Sequence, residues 1–326
     1  MSSISQKRNR VIAAWAIFLC LPAMAAAQAY PSKPVRIIVP FPPGGGTDIL
    51  ARAMSSRMSE TMGQSVIVDN RPGAGGIVGI EVVARAPADG HSILLVSGSL
   101  TILPSLSSKV QYDPVKDFAP ITLATRQPYV AVVHPSLPAR SIKDLIAIAR
   151  AKPGQVTYAS AGSGGAGHLG MELLKTMARV DIVHVPYKGS GPALIELLGG
   201  HVSLMFASAP SCMTHVRSGR LRALAVSGST PSAVVPGVPT IAASGLPGFE
   251  VYGWYGVLAP ANTPANAINV LHGAIIKSLS EPAVRERIVA DGSELVGSTP
   301  DAFAEFLKQD VPKWAKVIRD SGAKAD

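Results

Sequence analysis

The chain has 326 residues, 47% of them hydrophobic and 16% charged, with a formal net charge of +9. That length allows two domains, each with a core of its own. The basic residues are scattered rather than clustered beside aromatics, which excludes the basic stripe of a nucleic-acid binder, so no nucleic-acid partner is expected.

The first residues carry an address. Lys7, Arg8 and Arg10 form a basic region, and they supply three of the nine net charges. An apolar run follows over residues 11–21, then small residues ending in Ala27-Gln28-Ala29. This is the pattern of a secretory signal peptide, and the apolar run is shorter than the roughly 20 residues that span a bilayer. Residues 1–29 are therefore expected to be removed, leaving a chain from Tyr30 in the periplasm. Cys20 follows Leu19 rather than a small residue, which argues against a lipid anchor. Of the two cysteines only Cys212 would remain, so an intrachain disulfide is excluded and stability must come from core burial. No later apolar run is long enough to span a membrane, so the mature chain is expected to be soluble.

From Tyr30 onward, short β-branched runs alternate with helical patterns. Strands are predicted at Val35–Val39, 66–68 and 92–96, with helices over 47–62 and 76–85 between them. The pattern then repeats, with strands at 130–133, 156–159, 182–185, 203–206 and 224–226. Helices are predicted over Ile142–Ala151 and from about Gly167, Pro192 and Cys212. Residues 231–248 read as a long loop. A strand near 255–258 precedes helices over 263–279, 282–291 and 301–320. The β-α-β order implies mainly parallel sheets covered on both faces by helices. Two such units with a helical tail predict an α/β fold of two lobes, residues 30–129 plus 252–326 and residues 130–251. The tail is expected to pack back on one lobe, and the chain to cross between lobes twice, at a hinge.

In open parallel sheets ligands sit beyond the carboxyl ends of strands, where loops enter helix N-termini. Two junctions stand out. One is Phe41-Pro42-Pro43-Gly44-Gly45-Gly46-Thr47-Asp48, with Gly45, Gly46 and Thr47 at the helix start. The other is Ser160-Ala161-Gly162-Ser163-Gly164-Gly165-Ala166-Gly167-His168. Glycines let backbone approach a ligand closely, and the first helical N–H groups with the helix dipole favour an anion. Either loop alone reads as a plain connection. Two in equivalent places of two lobes are what a clamshell receptor needs. Asp48 either caps its helix or meets a ligand amine or hydroxyl. His168 either touches a ligand or bonds within the helix start. His184 reads as a core residue, and Trp254 and Tyr255 as core rather than cleft mouth.

Residues 162–167 also match G-x-G-x-x-G, a dinucleotide fingerprint that wants an acidic group at the end of the next strand. Asp181 has the spacing but sits at that strand's start. There is no G-x-S-x-G elbow, and the seven histidines are dispersed without metal-ligand spacing. Neither a cofactor nor an enzymatic activity is expected, with an exported oxidoreductase kept as the alternative from another class.

Seven segments together resemble the Bug/TctC family of extracytoplasmic solute-binding proteins of tripartite tricarboxylate transporters. They are Tyr30-Pro31-Ser32-Lys33-Pro34-Val35-Arg36 running into the first glycine loop, Asn70-Arg71-Pro72-Gly73-Ala74-Gly75-Gly76, Tyr112-Asp113-Pro114-Val115-Lys116-Asp117-Phe118, Val185-Pro186-Tyr187-Lys188-Gly189, Gly219-Arg220-Leu221-Arg222-Ala223-Leu224-Ala225-Val226 and Ala259-Pro260-Ala261-Asn262-Thr263-Pro264. The resemblance implies a periplasmic-binding-protein fold of the Venus-flytrap kind, type II-like. It implies a receptor holding a small carboxylate between the two glycine loops, partly through water. It implies a membrane transporter with one large and one small transmembrane subunit. A monomer is expected, and a signalling role, in which the loaded receptor docks on a membrane sensor, is a further alternative because closed lobes would carry either message. Departures from the family pattern occur at Leu103, where Asn is common, at Ser203, where Asp is common, and at Ala207, where a polar residue is frequent. Together they point to a less polar pocket around Ala207, suited to an aromatic or aliphatic acid. Ser97, Ser99 and Thr101 still offer hydroxyls nearby.

Overall fold

The computed structural model describes residues 30–324 apart from Val234 and Asp291. The export segment expected over residues 1–29 lies outside the described residues. The first sheet contains β1 (Val35–Val39), β2 (Val66–Asn70) and β3 (Ser92–Ser97), with helices α1 (Gly46–Met62) and α2 (Ile77–Ala84) between them. β1 pairs in parallel with both β2 and β3, which a crossover helix on each side permits. A short helix, α3 (Ser99–Leu106), follows β3.

The chain then enters β4 (Phe118–Val133), the longest strand at 16 residues. Its first part, 118–128, pairs antiparallel with β9 (Tyr252–Pro260). Its last five residues pair antiparallel with β7 (Leu204–Ser208) on one side, and the last four of them with β8 (Arg222–Val226) on the other. One strand thus belongs to two sheets. Between β4 and β8 run α4 (Ile142–Ala151), β5 (Thr157–Ser160), α5 (Ala166–Ala178), β6 (Val183–Pro186), α6 (Ser190–Leu198) and α7 (Ala209–Arg217). The second sheet runs β8-β4-β7-β5-β6, with the β5 pairs parallel. After β9 come α8 (Ala265–Leu279), α9 (Pro282–Ala290), a two-residue strand β10 (Glu294–Leu295) on β4, and α10 (Pro300–Ser321).

Strand alternation sorts side chains to opposite faces. Ile37 joins a buried cluster with Met54, Leu271 and Ile275, whereas its neighbour Ile38 joins another with Ile80, Leu100 and Phe303. In the second sheet Ala131 and Val133 face Tyr158, Leu169 and Phe206, whereas Val130 and Val132 face Met205, Ala207 and Cys212.

The helical tail corrects an expectation. α10 packs on both cores: Phe303 and Leu307 lie in a first-sheet cluster, and Trp314, Val317 and Ile318 in a second-sheet cluster. Two other differences matter for the site. The sequence predicts only the last four residues of β4, because Pro120 and Pro128 interrupt its pattern. Here β-bulges shift the register between Pro120 and Thr122 and again between Leu123 and Thr125. Helix α3 was not anticipated, because Pro104 stands in its second half. A proline cannot donate to the carbonyl four residues back, Leu100. The Tyr112 hydroxyl supplies that bond instead, 3.2 Å from the Leu100 oxygen. Among the described residues no helix is long and apolar enough to cross a membrane.

Candidate ligand-binding site

A cavity of about 670 Å³ lies between the loops of the two sheets. One wall comes from the first sheet: Phe41, the Ala74-Gly75 turn, Ser97-Gly98-Ser99, and Ile102, Leu103 and Leu106 of α3. The opposite wall is Ser163-Gly164-Gly165-Ala166. The floor is where the chain crosses between sheets, with Thr125, Gln127 and Tyr129 of β4 beside Gly253, Trp254 and Tyr255 of β9. Its size suits a small organic molecule.

The Ser163–Ala166 wall is the end of a helix. Gly165 caps α5 in an extended conformation, so the N-terminus of α5, with its positive dipole end, meets the loop that lines the cavity. The structure adds a similar junction that the sequence reading passed over as a helix. Gly98 precedes α3, and the Ser97 hydroxyl lies 3.2 Å from that of Ser99. Among the described residues no acidic side chain lines the cavity, and the formally charged lining residue is Lys109.

Of the residues singled out from sequence, the structure gathers Phe41, Ser97, Ser99, Leu103, Ser163, Gly164, Gly165, Trp254 and Tyr255 around the cavity. The remaining ligand-binding candidates lie outside its lining. Asp48 is buried and fully engaged. It accepts from the Gly44 N–H at 2.9 Å, from Asn70 Nδ2 at 3.0 Å and from Arg52 Nε at 3.0 Å. Asn70 also donates to the Phe41 carbonyl, so one carboxylate pins the whole glycine loop to β2. Burial opposes ionisation of Asp48, but the Arg52, Gly44 and Asn70 donors outweigh it and hold its pKa below the usual carboxylate value. Of the two roles open to Asp48, the geometry matches the local one. Gly45 is the helix cap beside it, and Thr47 is buried. Gly46 leaves room for the Tyr255 hydroxyl, which occupies the place a side chain would take.

In the second loop Gly162 and Gly164 hold φ of 133° and 82°, conformations that other residues avoid. The Gly164 N–H is spent on His168 Nδ1, at 2.9 Å. His168 is buried and stacks on His184 at 4.0 Å between ring centroids, and His184 stacks on Tyr158 at 4.8 Å. The Ser160 hydroxyl lies 2.6 Å from His184 Nε2 and accepts from the Gly162 N–H at 3.2 Å. These contacts make Ser160, Gly162 and His168 a brace beneath the loop. Ala207 is in the buried cluster with Met205 and Cys212, and Thr101 is buried with its hydroxyl 2.7 Å from Asp310. Neither lines the cavity. Trp254 and Tyr255 belong both to cores and to the cavity floor.

The dinucleotide fingerprint lacks its partner in space. β5 and β6 run parallel with Ser160 opposite Pro186, so Asp181, before β6, lies at the far end of the sheet from residues 162–167. Its carbonyl accepts from the Gly154 N–H there.

A two-sheet α/β body with a cavity where helix ends converge defines the class of bilobal binding proteins. The chain belongs to the tripartite tricarboxylate transporter family of receptors, TctC, whose model matches residues 50–323. It is 39% identical over 321 residues to BugT of Bordetella pertussis, covering 97% of this chain and 98% of that protein. An R. palustris protein solved with adipate is 34% identical, with a TM-score of 0.75 over 91% of this chain and all of the other. MatC from Rhodopseudomonas palustris, solved with malate, is 31% identical, with a TM-score of 0.72 over 89% of this chain and all of the other. The fold is that of these solute-binding proteins.

Proposed function

We propose that this chain is an exported, non-enzymatic receptor. It captures a small carboxylate between its lobes and delivers it to a membrane transporter of one large and one small transmembrane subunit. The observation that carries this reading is the cavity itself. Hydroxyls and helix N-termini from both lobes converge on a space that no acidic side chain among the described residues lines. Such a site stabilises an anion by fixed donors rather than by a buried counter-charge. The adipate and malate held by its relatives support a carboxylate as the ligand.

In this reading the Ser97 and Ser99 hydroxyls and the Gly165-Ala166 start of α5 hold the carboxylate. Phe41 and the apolar side of α3 hold the body of an aliphatic or aromatic acid. Gly45, Gly46, Thr47, Asp48, Ser160, Gly162 and His168 shape the two loops without touching the ligand. The lobes are residues 30–129 with 252–326, and residues 130–251, with α10 laid across both. Residues 1–29 direct export to the periplasm and are removed. The receptor works as a monomer and without a cofactor.

A thermal-shift screen of carboxylic acids beside their primary amides tests the proposal. A ligand that binds only the native state raises apparent stability by RT ln(1 + [L]/Kd), about 2.7 kcal/mol at a hundredfold excess over Kd. At least one acid should raise Tm while its amide does not. A panel in which amides match their acids would remove the basis for an anion site.

A further inference from the structure

Thr125 stands apart among the buried polar residues. It is 1% exposed, and its hydroxyl has no hydrogen-bond partner among the described residues. Two other buried polar atoms there lack such a bond, but each has a carboxylate beside it. Arg57 Nε lies 2.9 Å from Glu281, and His91 Nδ1 lies 3.3 Å from Asp89. In β4, Thr125 pairs with Tyr255 of β9 and with Leu295 of β10, so its main chain is engaged by strands on both sides. What it offers to a cavity is therefore its side chain, and a β-bulge just before it re-aims that side chain.

A second cavity, of about 290 Å³, shares Thr125, Tyr255 and Ser293 with the first. Its other walls are Ile49 and Leu50 of α1 and Ile288 and Ala290 of α9, with Arg287 the charged lining residue among those described. Gly46 completes the lining, and its lack of a side chain is what lets the Tyr255 hydroxyl lie against α1. A dry cavity of about 150 Å³ holds benzene, so this one has room for a ring and a substituent. An unpaired buried hydroxyl is a cost to the folded state that a valine of the same shape would not carry. Its presence at the wall of an apolar cavity has a use if the occupant brings the missing partner.

We propose that this side cavity is a second binding site, which takes a monocyclic aromatic molecule of the phenol class and bonds its hydroxyl to Thr125. The aliphatic walls and the Tyr255 ring suit a ring better than a polar body. A guanidinium at the wall favours the negative face of an aromatic ring over an alkyl chain. A phenolic hydroxyl both donates and accepts, so it pairs with Thr125 whichever way the threonine hydroxyl turns. The site lies apart from the Ser97, Ser99 and α5 donors, and it stands independently of the carboxylate reading.

Fluorine NMR titration of para-fluorophenol and of fluorobenzene tests it, on the wild type, Thr125→Val, Ala290→Phe and Val289→Phe. The wild type should bind both probes, the phenol about three to ten times more tightly, which is the worth of one hydrogen bond between neutral groups. Thr125→Val should bring that ratio to about one, and the loss should come from the phenol. The same variant without ligand should melt no lower than the wild type, because it sheds an unpaired buried hydroxyl. Ala290→Phe fills the side cavity and leaves the larger one alone, so it should abolish binding of both probes. Val289→Phe, exposed and outside the lining, should bind both as the wild type does. A wild type that binds neither probe, or binding that survives Ala290→Phe, would overturn the site. A wild-type ratio near one, a ratio that survives Thr125→Val, or a lower Tm for that variant would overturn the role of Thr125.

Discussion

Asp48 is a carboxylate at the start of a helix beside a cavity suited to anions, yet it does not oppose them, because its charge is already spent. Three donors fill its oxygens. Removing it takes the acceptor from the Gly44 N–H and from Arg52 and leaves Asn70 one bond fewer, so Asp48→Ala should cost about 2–3 kcal/mol by urea titration. The sign of its pH dependence follows from its lowered pKa. The stability it supplies is complete above the unfolded carboxylate value near 4. It is lost as pH falls through the lower folded value, and Asp48→Asn should lack that part of the acid unfolding profile. Asp310 has the opposite sign. Burial outweighs the Thr101, Lys313 and Trp254 contacts and raises its pKa, so its ionisation opposes folding as pH rises. Asp310→Asn should therefore raise Tm at pH 7 or leave it unchanged, and a clear drop would contradict this. Burial also pushes the Cys212 thiol up to about 12, which predicts no alkylation of the native protein at pH 8. Gly164→Val meets both a positive φ and Leu106. It should cost about 1–2 kcal/mol of stability and abolish the thermal response to acids. At this scale the sequence made the glycine loops visible, because Gly-rich strand-to-helix turns have a known use. It could not show that Asp48, Ser160 and His168 brace the loops from behind, because a polar residue in a loop reads the same on either side of it.

The elements divide in the same way. β1, α1, β3 and α4 are legible from apolar periodicity because each buries one well-defined face or run. α3 is not, because its interior proline is tolerated only through the distant Tyr112 hydroxyl. With α3 missed, the apolar wall it gives the cavity had no place to belong. The cavity floor was missed for a related reason. Gln127 and Tyr129 lie on a strand interrupted by prolines, and only its pairing with β9 shows that it continues. α10 was legible as a helix but not as a strap, since its two apolar stretches look alike until their different cores are known. Trp314, 2% exposed in the second-sheet core, should cost about 3–5 kcal/mol when changed to Ala. Phe303→Ala, acting on the first-sheet core, should show a similar loss, which chemical denaturation of each variant would measure.

At the scale of the whole molecule, one strand and one helix join two cores around a shared cavity. β4 changes partners from β9 to β7 and β8 within a few residues, so a small change of twist there would alter the gap between the walls. In the proposed receptor, closure on a ligand would exclude water, which strengthens every fixed donor inside. A mild positive charge over the molecule, with no acidic side chain among the described residues lining the cavity, agrees with an anionic ligand reaching it from solution. Isothermal titration of the receptor with an aliphatic or aromatic carboxylic acid that it binds, and then with the same compound carrying an amide in place of its carboxylate, addresses this most directly. The account predicts binding of the acid and affinity for the amide at least tenfold weaker, a difference of about 1.4 kcal/mol. Equal affinities would contradict it.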